Sequence, residues 1–102
     1  MPDTLLRIAL GLALRFNDTQ PDIRLFVESL RSAQATDARS YLSSPETETL
    51  LAELDSTALI LLAELLDEVR LQGESRRLYR EAAFFDLVSD RVKDELISRK
   101  GH

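Results

Sequence analysis

The stretch Ala58–Leu66 reads Ala-Leu-Ile-Leu-Leu-Ala-Glu-Leu-Leu, nine positions with a single charge, and no other segment restricts the fold as strongly. A membrane-spanning helix needs roughly 20 apolar residues, so this run is too short to cross a bilayer. A helix that is apolar almost all the way round must instead be covered by other helices or by a partner. On a helical wheel Leu59, Leu62, Ala63, Leu65, Leu66 and Val69 share one broad face, which ordinary core packing accounts for. Ile60 and Leu61 fall outside it and flank Glu64 on the otherwise polar side. Because large exposed apolar patches are uncommon in monomers, the first or fourth helix is expected to cover this pair, with a partner as the other reading.

Helix start and stop signals divide the rest of the chain. Asp3 is placed to cap a helix running through Phe16, in which Arg7, Gly11 and Arg15 form one narrow strip among apolar positions. Asn17 to Pro21 reads as a turn, with Pro21 suited to the first turn of a second helix whose stripe is Ile23, Phe26, Val27 and Leu30. Thr36 or Asp37 begins a short helix carrying Tyr41 and Leu42. Ser44-Pro45-Glu46 joins a capping hydroxyl to a proline at the first helical position, and Asp55-Ser56 caps the helix containing the apolar run. Gly73 is expected to end that helix in a left-handed conformation, and Ser75 to cap the last one. The helices predicted are about 3–16, 21–33, 37–43, 45–54, 57–72 and 76–99.

No strand-like alternation longer than a few residues occurs. The expectation is therefore all-α: a compact antiparallel bundle of five main helices plus one short helix, in a single domain over 1–102. A chain of 102 residues with 44% apolar and 30% charged side chains has a globular balance and suits one core. Gly73 to Phe85 resembles the second half of a tetratricopeptide hairpin, with Ala82 and then Phe84 or Phe85 in small-then-aromatic order. The Trp and Leu-Gly positions of a first half are missing. Five substantial helices with a short third one also resemble the death-fold bundle in outline, and outline alone carries no function.

Little in the sequence suggests catalysis. The only histidine, His102, is the last residue, a poor place for a general base. There is no cysteine, hence no thiolate nucleophile or thiolate metal site, and a reducing cytoplasm is a compatible setting. The opening Met-Pro-Asp-Thr-Leu-Leu-Arg has an acid where a secretory signal carries positive charge, so residues 1–16 are read as part of the fold. The three glycines are isolated, which excludes a phosphate-binding loop. Glu64, Asp67 and Glu68 lie on one side of the fifth helix but lack a second carboxylate-and-histidine helix, and read as a solvated or salt-bridged face. A catalytic carboxylate site would need a cleft there. We therefore expect neither an enzyme nor a cofactor or metal site, and no small-molecule substrate is evident.

Charge and the last helix point toward binding. The formal charge of −5 argues against a general nucleic-acid binder, since neutralising phosphates needs a basic field. Residues 34–74 hold nine acids and two bases, whereas 75–102 hold five acids and seven bases. Such asymmetry favours packing the last helix beside the middle segment, or a contact between those two surfaces on different molecules. In the last helix Leu78, Ala82, Phe85, Val92 and Leu96 form a core stripe interrupted by Ser89. Phe84 and Leu87 point the other way beside Arg80 and Arg91, with Arg76 and Arg77 at the helix start. An aromatic anchor bordered by arginines has the composition of a binding hot spot. Arginines in a first turn also oppose the helix dipole, which calls for nearby acids; Glu64, Asp67, Glu68 and Glu74 are the candidates within the chain.

The reading that follows is a small, soluble, cytoplasmic helical interaction or adaptor module. Eleven arginines against two lysines suggest a bacterial source. It binds a protein partner or itself through Arg76, Arg77, Arg80, Phe84, Leu87 and Arg91, with Ile60 and Leu61 as a second apolar site. Nucleic-acid binding or regulation through the C-terminal arginines, and a stand-alone structural bundle, are the alternatives.

Overall fold

The computed structural model of the chain describes residues 4–35 and 38–100, and it is all-α. Helix α1 covers Thr4–Ala13 and tightens into a 3-10 turn over Leu14–Phe16. α2 spans Pro21–Ala35, α3 Ala38–Leu42, α4 Pro45–Glu53, α5 Ser56–Ser75 and α6 Tyr79–Lys100. The expected caps Asp3, Thr36 and Asp37, and the terminal His102, lie outside the described residues. Among the described residues no helix is long and apolar enough to cross a membrane.

The local start signals act as their chemistry requires. Ser44 is extended (φ −75°, ψ 155°), its Oγ accepts from the Thr47 amide, and Pro45 opens α4 where a missing donor costs nothing. Asp55 accepts from the Ala58 amide at 2.7 Å and starts α5. α3 has only five residues, too few for an isolated helix in water. Its end is held from outside: the Tyr41 carbonyl accepts from the hydroxyls of Ser44 (2.6 Å) and Thr47 (2.7 Å), and Tyr41 and Leu42 are buried.

α5 and α6 form an antiparallel pair, shown by contacts that run in opposite directions along the two helices. Arg70 faces Asp86, while Asp67 faces Ser89 and Lys93 further along. α1 lies antiparallel along another side of α5, with Leu5 near Gly73 and Leu12 and Phe16 near Leu61 and Leu65. α2 packs on α1, and α3 and α4 close the bundle against α2 and α6. Buried residues of α1 through α6 form one apolar cluster, with Phe26, Phe85, Leu5, Leu59, Leu62 and Leu66 among its largest fully buried members. The predicted wheel face of α5 is buried throughout, from Leu59 to Val69.

The largest departure from the sequence reading is the α5–α6 corner. Gly73 does not terminate α5 and has no positive φ; it sits inside the helix, fully packed. A Cβ there would stand 2.5 Å from Leu5 Cδ1 and 3.2 Å from Ala82 Cβ, so the missing side chain lets α1 and α6 approach α5. Ser75, expected to cap the last helix, is the final residue of α5. The turn comes later: Leu78 N–H donates to the Gly73 carbonyl (2.7 Å) and Arg77 N–H to that of Glu74 (3.1 Å). This pair of bonds defines a Schellman ending, and its left-handed residue is Arg77, at φ 63°. α6 accordingly begins at Tyr79, three residues beyond the expected start.

Candidate interaction surface

The corner decides where the arginines point. With α6 starting at Tyr79, Arg76 and Arg77 follow the C-terminal end of α5 instead of opening α6. That is the negative end of the α5 dipole, which favours cations without help from an acidic side chain. The expected neutralising pairs are not formed: among the described residues no acid lies within ion-pair distance of Arg76, Arg77 or Arg80, and all three are exposed. Glu74 is engaged by Arg70 at 2.7 Å, and Asp67 by α6. Among the described residues Glu64 and Glu68, both exposed on α5, form no salt bridge, although Arg15 beside α1 lines the same shallow pocket.

The neighbouring apolar residues divide unevenly. Phe84 and Leu87 are half-buried against the core, and Phe84 meets Phe85 edge-on at a centroid distance of 5.3 Å. Leu61 is half-buried beneath α1 and lines a pocket of about 110 Å³ with Leu12, Phe16 and Leu65. Ile60 keeps 46% of its surface exposed, so α1 covers one member of the expected pair and leaves the other. Ile60 lies near the opposite end of α5 from Arg76, about 24 Å away at ~1.5 Å per residue, so one molecule does not join the two predicted patches.

Arg91 has a role inside the chain. Its Nε donates to the Leu42 carbonyl at 3.3 Å, closing the end of α3, and Nη1 lies 3.9 Å from Glu95. Arg99 repeats the arrangement one helix on, donating to the Leu54 carbonyl and, at 2.8 Å, to that of Leu51 at the end of α4. Arginines near a helix C-terminus satisfy carbonyls left over by the helix, so these two guanidiniums complete short helices and face inward in function. Glu81 does the converse for α1: its Oε1 accepts from the Leu5 amide at 3.1 Å.

Ser89, read as a break in the core stripe, is buried and donates to Asp67 Oδ1 at 2.8 Å, while Lys93 Nζ lies 3.1 Å from Oδ2. Burial alone would raise the Asp67 carboxyl. The hydrogen bonds from Ser89 and Lys93, with the charges of Lys93 and Arg70, outweigh burial and hold it below the ordinary 3.8. Asp67 is thus a structural acceptor, and it does not converge with Glu64 and Glu68. Among the described residues no group of three or more His, Cys, Asp or Glu side chains is placed to hold a metal ion.

Two exposed residues complete the surface and were not singled out in the sequence. Tyr79 is 62% exposed between the corner arginines, and Leu71 is 56% exposed on α5. Leu71 lies three turns beyond Ile60 on the same outer strip of the wheel, so the reasoning that isolated Ile60 extends to it. Tyr79 carried a composition signal, an aromatic ring flanked by arginines. No protein-family model, curated protein or solved structure matches the chain, so neither resemblance noted in the sequence leads to a family.

Proposed function

We propose that this chain is a protein-interaction module whose contact surface is the α5–α6 corner, where Arg76, Arg77 and Arg80 surround Tyr79 and Phe84 and Leu87 continue along α6. The carrying observation is Arg77. Its left-handed backbone is the position where glycine is usual, and a side chain there costs about 1–2 kcal/mol. An exposed, strained arginine with no ion pair among the described residues is poorly explained by folding and well explained by a surface that meets acids on another molecule. The partner chemistry is an acidic protein face with an apolar centre. A net charge of −5 works against a phosphate backbone as the preferred partner.

The test is affinity capture from an extract of the native cell, followed by reconstitution with the purified partner. The reading expects a defined protein whose dissociation constant rises about a hundredfold in R76E/R77E/R80E, with helix content by circular dichroism unchanged. Binding that survives the triple reversal overturns it. So does retention on duplex DNA at about 0.15 M salt in preference to any protein.

A further inference from the structure

We infer that the acidic surface fitting this corner is the outer strip of α5 on a second copy of the chain, so that the protein assembles as an antiparallel two-fold dimer along α5. The inference rests on the reading of the corner as a protein-binding surface and names its partner. The strip consists of Ile60, Glu64, Glu68, Leu71 and Ser75, every one exposed, at helical spacings of four, four, three and four residues. It continues at the corner into Arg76, Arg77, Tyr79 and Arg80.

A two-fold axis crossing α5 between Glu68 and Leu71 makes this strip complementary to itself. Under that axis Glu68 lies over Leu71 of the second copy, and Leu71 over its Glu68, so the aliphatic stem of each acid covers the other copy's leucine. One layer outward, Glu64 comes opposite Ser75 and the adjoining Arg76 and Arg77 of the second copy. One layer further, exposed Ile60 meets the exposed Tyr79 ring beside Arg80. Glu64 therefore reaches the corner arginines of the second copy, and the strip's three exposed apolar residues, at 46%, 56% and 62% exposure, are covered together. The two-fold repeats every contact, as an isologous interface requires. The patches that one molecule holds about 24 Å apart become neighbours across the axis.

The experiment is sedimentation equilibrium on the full chain and on two charge-reversed forms, E64R/E68R and R76E/R77E. The wild type is expected to be dimeric at about 100 μM, with a dissociation constant of about 1 μM, and each reversed form to be weakened about a hundredfold. Mixed one to one, the two reversed forms are expected to recover a dimer, because reversed position 64 of one form faces reversed positions 76 and 77 of the other. A monomeric wild type, or a dimer indifferent to both reversals, overturns the inference. So does failure of the mixture to associate while both variants keep wild-type helix content. A monomer that still binds a different protein through the corner leaves the proposed function standing, which separates the two failures.

Discussion

Gly11 and Gly73 both lie inside helices, and the same substitution at each should move stability in opposite directions. Alanine in a helix interior gains about 1 kcal/mol over glycine, chiefly by restricting the unfolded backbone. At Gly11 a Cβ would meet nothing within 4 Å, so Gly11→Ala is expected to realise that gain in full. At Gly73 the new carbon would sit 2.5 Å from Leu5 Cδ1 and 3.2 Å from Ala82 Cβ. Leu5 is completely buried, so its methyl would have to shift against packed neighbours. Overpacking of this kind costs about 1–3 kcal/mol, so the net effect of Gly73→Ala is a loss of about 1 kcal/mol. Thermal melts should show Gly11→Ala about 4 °C above the wild type and Gly73→Ala about 4 °C below it. The mechanism makes a further demand: measured against L5A, the penalty of Gly73→Ala should disappear and the helix-propensity gain return. If Gly73→Ala stabilises the wild type, or its penalty is the same in the L5A background, close approach of α1 is not the reason for that glycine.

Three other outcomes are expected. Arg77→Gly relieves the left-handed backbone and should raise unfolding stability by about 1 kcal/mol in urea titrations, while weakening association through the corner. Arg99→Ala removes the donors to Leu51 and Leu54 and should cost about 1–3 kcal/mol in the same titrations, with amide exchange rising first in α4. Because the folded state holds Asp67 below 3.8, the stability from its ionised form is complete above about pH 5 and is lost as pH falls through the lower folded value. D67N should therefore flatten the acid limb of a stability–pH profile, and an unchanged limb would remove Asp67 from that role.

Features set by neighbours in sequence were legible, and those set by neighbours in space were not. Ser44 and Asp55 announce their helices because a cap acts on an amide three residues away, and both bonds form. The buried face of α5 follows from helical periodicity alone. Gly73 is different: near a helix end glycine suits either a left-handed turn or a close helix crossing, and Leu5, from the other end of the chain, decides between them. Arg91 and Arg99 share the composition of solvent-facing arginines, and only the positions of the α3 and α4 carbonyls turn them inward. Ser89 reads as a flaw in the core stripe until Asp67 is placed opposite it. The corner arginines were visible as a cluster, whereas their freedom from intramolecular acids depended on where α6 begins.

The supports that α6 lends to other helices also order events during synthesis. Glu81 completes the start of α1, Arg91 the end of α3, and Arg99 the end of α4. A ribosome releases these side chains only after every helix they finish has already emerged. The nascent chain must therefore wait with open helix ends and an uncovered α5, although helices themselves form within about a microsecond. For a bundle whose local turns are quick to form, the last step is a long-range closure, and shortening the chain from its C-terminal side should unravel helices near its beginning.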